Sequence, residues 1–162
     1  MFDPVEALAD GAPHVQPGRN LMEEVPQSIG DVEAGFAQAD HVFEDRYYTQ
    51  PIHHGAIETH TAIAQYDGMG KLTVYTPSQD TFGVRINLTR IFGMPMSRVR
   101  VVAPAIGGAF GGKIDAVLEP VVSLLAIKCG RPVKMELTRR EDIASTRTRH
   151  SVITTVKTGV MK

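Results

Sequence analysis

The chain has 162 residues, with 17 Lys and Arg against 18 Asp and Glu, and its formal net charge is −1 with His neutral. Hydrophobic residues at 43% and charged residues at 22% exclude collagen, coiled coil and global disorder, and this length buries a core without a disulfide or metal staple. Basic and acidic residues are interspersed, which argues against a nucleic-acid surface, and the longest apolar stretch, residues 101–112, falls well short of a membrane span.

Residues 1–30 hold seven of the 25 glycines and prolines and show no sustained period, as a linker or surface arm does. The start, Met1-Phe2-Asp3-Pro4, lacks the basic and apolar regions of a signal peptide, so the expected location is cytoplasmic. Asp31 is a candidate N-cap for a short helix carrying Val32 and Phe36, followed by a strand from His41 to Thr49. The runs 62–66 and 71–76 flank Asp67-Gly68-Met69-Gly70, a hairpin signal, with Leu72 and Val74 on one face. Residues 79–92 set Val84, Leu88 and Ile91 on one helical face before Gly93, and 98–102 alternate as a strand. A second helix, with Leu118, Val121, Val122 and Leu125 at helical spacing, reads as largely buried and ends at Cys129-Gly130. Val133, Met135 and Leu137 alternate as a strand, Thr138-Arg139-Arg140-Glu141 is a capping box, and residues 151–158 form a last strand. This order predicts an α+β fold, a mixed sheet with helices packed on it.

Gly107-Gly108-Ala109-Phe110-Gly111-Gly112-Lys113 is the strongest chemical signal. Four glycines within six residues, between a strand and a helix, imply positive φ or close backbone approach to another group. The spacing nearly completes a phosphate loop, but Ile114 stands where Ser or Thr holds Mg²⁺. A nucleotide- or anion-binding module with a degenerate phosphate loop and a purely structural turn are the competing readings. Phe110 fits neither well, because a ring between glycine pairs suits the wall of a pocket better than a turn.

Other features have plainer readings. His53, His54 and His60 match no zinc spacing, and Glu58 and His60 read as hydrogen-bonding structural groups that hold a strand. Cys129, the lone cysteine, reads as a buried inert thiol and can hold no iron–sulfur cluster by itself. Arg139, Arg140, Arg147 and Arg149 read as a solvated face or as carboxylate partners.

Residues 107–113 resemble the GGxFGGK signature of the molybdenum-binding large subunit of the xanthine dehydrogenase and aldehyde oxidase family, the molybdenum hydroxylases. Residues 54–60 are similar to its H-x-x-L-E-P/T-H stretch, 75–79 to its segment ending in Ser/Thr-Gln, and 130–134 to its G-R-P-V-K. Residues 138–142 and 147–150 resemble its T-R-x-E-D and R-x-R-H blocks.

The resemblance implies that residues 1–30 are an arm leaving a hammerhead domain and that 31–162 are the first part of a molybdopterin-binding domain. It further implies a molybdopterin cofactor, as mono- or dinucleotide, with molybdenum that hydroxylates a purine-, aldehyde- or N-heterocycle-like substrate using water. Gln79 would donate its amide to an oxygen ligand of the metal, and Gly108, Ala109, Phe110 and Gly111 would lie beside metal and pterin. Arg149 matches a substrate-contacting position, and Ile114 replaces a Glu of the purine-oxidising members. The catalytic general base, a glutamate, is expected downstream of Lys162. Iron–sulfur clusters and FAD are expected on other domains or subunits, with the remainder of the large subunit as partner and the isolated piece inactive.

Overall fold

A computed structural model of the chain describes residues 3–15, 17, 18 and 20–162; Met1, Phe2, Gln16 and Arg19 of the expected arm lie outside the described residues. The chain divides into two compact units, one comprising residues up to Arg46 together with Thr155–Lys162, the other Tyr47–Thr154.

In the first unit, Asp3 caps a four-residue helix α1 (Pro4–Ala7), and the Asn20 amide donates to the carbonyls of Ala7 and Pro13. Helix α2 (Val32–Gln38) starts where expected, because the Asp31 carboxylate accepts from the Ala34 N–H. Strand β1 (His41–Thr49) pairs with the last strand, β8 (Val152–Val160). A Cβ on Gly159 would crowd the Ala39 Cβ at 3.1 Å and the Phe36 ring at 3.2 Å.

The second unit is built on a four-stranded sheet. Its strands are β3 (Thr61–Tyr66), β4 (Leu72–Tyr75), β5 (Val99–Val102) and β6 (Val133–Glu136), in the order β5-β4-β3-β6. β3 runs antiparallel to β4 and β6, while β4 and β5 are parallel, with Tyr75 opposite Val102. The period of two is visible in burial: Ala62, Ala64, Leu72, Val74 and Val99 face a core completed by helix α3 (Thr81–Phe92) and helix α4 (Glu119–Cys129). Small side chains at Ala62, Ala64 and Ala126 let α4 pack closely on β3, and α3 lies against β5. Helix α5 (Arg139–Ser145) opens with the expected capping box, in which Thr138 and Glu141 satisfy each other's backbone N–H groups. Short strands β2 (Ile52–His53) and β7 (Thr148–Arg149) pair antiparallel. The fold is α+β.

Several expectations change in detail. The β3–β4 turn is wider than an Asp-Gly pair: the Asp67 carboxylate accepts from Met69 and Lys71 N–H groups, and positive φ falls on Gly70 rather than Gly68. Helix α3 begins at Thr81 because Asp80 is its cap, which leaves Gln79 outside the helix. Ile91 is exposed while Val84 and Leu88 are buried. Helix α4 is buried on one side only, through Glu119, Val122, Ser123 and Ala126, whereas Val121, Leu124 and Leu125 face outward. Its apolar residues surround the axis, and a single sheet covers one face. Cys129, expected to be buried, is exposed at the end of that helix.

These burials predict unequal costs. Leu88→Ala removes a fully buried side chain and lowers unfolding stability by about 3 kcal/mol in urea titration. Leu124→Ala, 45% exposed on the outer face of α4, costs less than about 1 kcal/mol.

Candidate cofactor-binding site

The parallel pairing of β4 and β5 decides where the site forms, because segments leaving their C-terminal ends emerge side by side. After β4 the chain runs through Thr76, whose N–H donates to the Val102 carbonyl, to Gln79; after β5 it runs into the glycine loop. The two meet through several bonds. Gln79 N–H and Ser78 Oγ donate to the Lys113 carbonyl at 2.9 and 3.3 Å, and Gln79 Oε1 accepts from the N–H groups of Gly111 (3.1 Å) and Lys113 (3.3 Å). With Oε1 occupied by donors, the carboxamide orientation is set and Nε2 is left as a donor with no acceptor among the described residues.

The opposite side of the loop is gripped by the segment between β2 and β3. The Glu58 N–H donates to the Gly107 carbonyl, and the Glu58 carboxylate accepts from Gly107 N–H and Lys113 Nζ, both at 2.8 Å. Lys113 is 3% exposed, so its ammonium is turned inward to Glu58 rather than across the loop mouth. A Cβ on Gly107 would come within 2.7 Å of the Glu58 Cβ, and one on Gly112 within 2.9 Å of His54 Nδ1. Those two glycines are demanded by packing. Gly108 and Gly111, with φ of 99° and 92°, are demanded by conformation.

Between these anchors, Phe110 takes φ of 54°, the one non-glycine residue with positive φ among those described, and its ring is 72% exposed. Ala109 is buried, and its carbonyl accepts from the Gly112 N–H. The N–H groups of Gly108, Ala109 and Phe110 meet no protein acceptor among the described residues. Three successive N–H groups of one loop and the Gln79 Nε2, on the segment bonded to that loop, are thus donors without acceptors among the described residues, of the chemistry that anionic or oxygen-rich groups require. Gln79, Gly108, Ala109, Phe110 and Gly111, singled out from sequence, are therefore brought together. Ile114, exposed, follows Lys113 directly, while Arg149 is exposed on β7 opposite Ile52, positioned by a different pair of strands.

A buried network stands behind the loop. Asp142, on α5 and 2% exposed, accepts from the His60 N–H at 3.0 Å and lies 2.6 Å from His60 Nδ1; His53 Nε2 and Arg139 Nη1 lie 3.4 and 3.3 Å from its other oxygen. His60 Nε2 faces the Gly112 carbonyl at 3.2 Å. Arg139 Nη2 donates to the carbonyls of Ala56 and Ile57, and Arg147 pairs with Asp115. Glu58 and His60 are thus cross-links, as expected, but they hold the glycine loop as well as the strand. Asp142 and Arg139 escaped notice as site supports, since only their membership of the T-R-x-E-D block marked them and a capping box accounts locally for that spacing.

The network shifts its carboxyls. Burial pushes the Asp142 carboxyl up, but hydrogen bonds from the His60 ring and N–H, with the charges of His60 and His53, outweigh it and hold the group below the ordinary 3.8. Burial likewise opposes ionisation of Glu58, and the Lys113 and Gly107 bonds bring it below 4.5. Both carboxyls are depressed in the folded state, so their contribution is complete above these ordinary values and drains away as pH falls below them. Asp142→Ala should cost about 3 kcal/mol at neutral pH, and the variant should show a shallower loss of stability between neutrality and acid than the parent, measured by urea unfolding at stepped pH. An equal pH slope in both proteins would remove Asp142 from this role.

A family model described as the molybdopterin cofactor-binding domain matches residues 14–162. The chain is 38% identical over 159 residues to a probable xanthine dehydrogenase subunit of Bacillus subtilis, covering 98% of this chain and 21% of that protein. It is 33% identical over 162 residues to the nicotinate dehydrogenase large molybdopterin subunit of Eubacterium barkeri, covering 100% of this chain and 38% of that one. Among solved structures, the aldehyde oxidoreductase from Desulfovibrio gigas superposes with a TM-score of 0.82 at 28% identity, over 98% of this chain and 18% of that one. The reconstituted CO dehydrogenase from Oligotropha carboxidovorans superposes with a TM-score of 0.78 at 27% identity, over 98% and 22%. The chain spans about a fifth to two-fifths of the length of these curated relatives. Set beside the glycine loop and the Gln79 contacts, these matches show that the chain belongs to the molybdopterin cofactor-binding domain family.

Proposed function

We propose that this chain supplies one wall of the cofactor site in the large subunit of a molybdenum hydroxylase that acts on a purine-, aldehyde- or N-heterocycle-like substrate. Residues 31–162 would be the first part of the cofactor-binding domain, and residues 1–30 the arm joining it to a preceding hammerhead domain. The observation that carries the reading is the divided use of the Gln79 carboxamide: its oxygen is spent on the loop, and its NH₂ is left to donate beside three unpaired backbone N–H groups. Molybdenum on molybdopterin, as mono- or dinucleotide, would supply the two-electron oxidation and the use of water as oxygen source.

The chain's own residues would bind and orient. Gln79 Nε2 and the N–H groups of Gly108, Ala109 and Phe110 are donors for the oxygen-rich cofactor, and Gly111 offers backbone with no side chain to obstruct approach. The exposed Phe110 ring suits the cover of a flat group. Arg149 would offer a cation to substrate, while the apolar Ile114 disfavours a substrate that needs a carboxylate partner, as xanthine would. The general base would come from a glutamate further along the subunit. Iron–sulfur clusters and FAD on other domains or subunits would carry electrons away, in a cytoplasmic enzyme. A degenerate phosphate loop would need Lys113 at its mouth; the pairing of the buried Lys113 with Glu58 instead favours the cofactor reading.

Gln79→Glu separates the two jobs of this side chain, since a carboxylate still accepts from Gly111 and Lys113 but no longer donates. In the assembled enzyme the variant should keep its unfolding temperature within a few degrees and lose about 10- to 100-fold in turnover or molybdenum content, read by activity and metal analysis. Full activity with full metal loading would overturn the reading.

A further inference from the structure

A second cavity, of about 260 Å³, lies beside α3 and the edge strand β5 and shares no residue with the glycine-loop site. Its lining includes Lys71, Thr81, Phe82, Arg85, Ser97 and Arg100, with two further residues of β5. Three cations and no carboxylate face it. Among the described residues, none of Lys71, Arg85 and Arg100 forms an ion pair. Arg85 is held in place by a bond from Nη2 to the Met96 carbonyl, while its Nε is buried with no hydrogen-bond partner among the described residues. In a chain whose charges otherwise nearly cancel, three like charges around one cavity repel. A bound anion relieves that repulsion.

We propose that this cavity binds the phosphate group of a small phosphomonoester. The donors number more than a carboxylate's two oxygens can use: two guanidinium groups, one ammonium and the hydroxyls of Thr81 and Ser97. A tetrahedral phosphate presents oxygens in enough directions to meet them. The space exceeds a bare phosphate, and Phe82 offers an apolar face to whatever carries it. The site shares no residue with the one built on Gln79 and the glycine loop, so it can be tested apart from the proposed redox function.

The test is calorimetric titration of the full chain at fixed ionic strength with inorganic phosphate, adenosine monophosphate and a hexaglutamate peptide. Saturable binding of phosphate and of the monophosphate is expected, weakened about tenfold or more in the Lys71→Gln/Arg100→Gln double variant. Those two side chains make no internal hydrogen bond among the described residues and their loss relieves like-charge repulsion, so the variant's unfolding temperature should not fall. Lys128→Gln, on α4, should bind as the parent does. Absence of saturable phosphate binding, equal weakening by Lys128→Gln, undiminished binding in the double variant, or tighter binding of the peptide than of either phosphate would each overturn the proposal.

Discussion

The backbone between Gly107 and Lys113 cannot hold its own shape. It contains no regular hydrogen-bond ladder, three of its residues take positive φ, and one of those is Phe110, for which such a conformation costs about 1 kcal/mol or more. What fixes it is a grip from both sides: the Gln79 carboxamide oxygen on the N–H groups of Gly111 and Lys113, and the Glu58 carboxylate on Gly107 and the Lys113 ammonium. Because these four donors are used at the ends of the loop, the three between them are left for something else.

The support extends outward in layers. The parallel β4 and β5 bring Gln79 and the loop together, and α3 begins only after Gln79 because Asp80 takes the cap. On the far side, the capping box of α5 sets the first turn that carries Asp142, and Asp142 holds His60 against the Gly112 carbonyl. Arg139, from the same turn, ties down the carbonyls of Ala56 and Ile57 that precede Glu58. Three separated segments, 76–79, 56–60 and 138–142, therefore support one loop of seven, the last through the second. A binding site with its own small core of polar cross-links is pre-organised in this way without relying on the hydrophobic core beneath the sheet.

Much of this was legible in the sequence where the signal is local. The caps at Asp31 and Gly93, the capping box at Thr138 and the alternation of β4 depend on neighbours within a few residues, and the structure reproduces them. The glycine loop announced itself because only unusual backbone demands that many glycines. The layout of α4 was not legible, since apolar residues on every side of a helix do not say which face the sheet takes. Nor were the partners of Lys113 and Asp142, whose bonds span 55 and 82 positions. Cys129 illustrates the same limit: an apolar helix suggested burial, but its place in the last turn leaves the thiol outside.

The loop's N–H groups are thus divided between those that hold the structure and those left unpaired among the described residues, which the proposed function assigns to a cofactor. Amide hydrogen exchange across residues 107–113, measured with and without molybdopterin bound to the assembled subunit, tests this division directly. Gly107, Gly111, Gly112 and Lys113 should be protected in both states, while Gly108, Ala109 and Phe110 should exchange freely without cofactor and become protected with it. Equal protection of all seven before cofactor is added, or no change at the middle three afterwards, would contradict it.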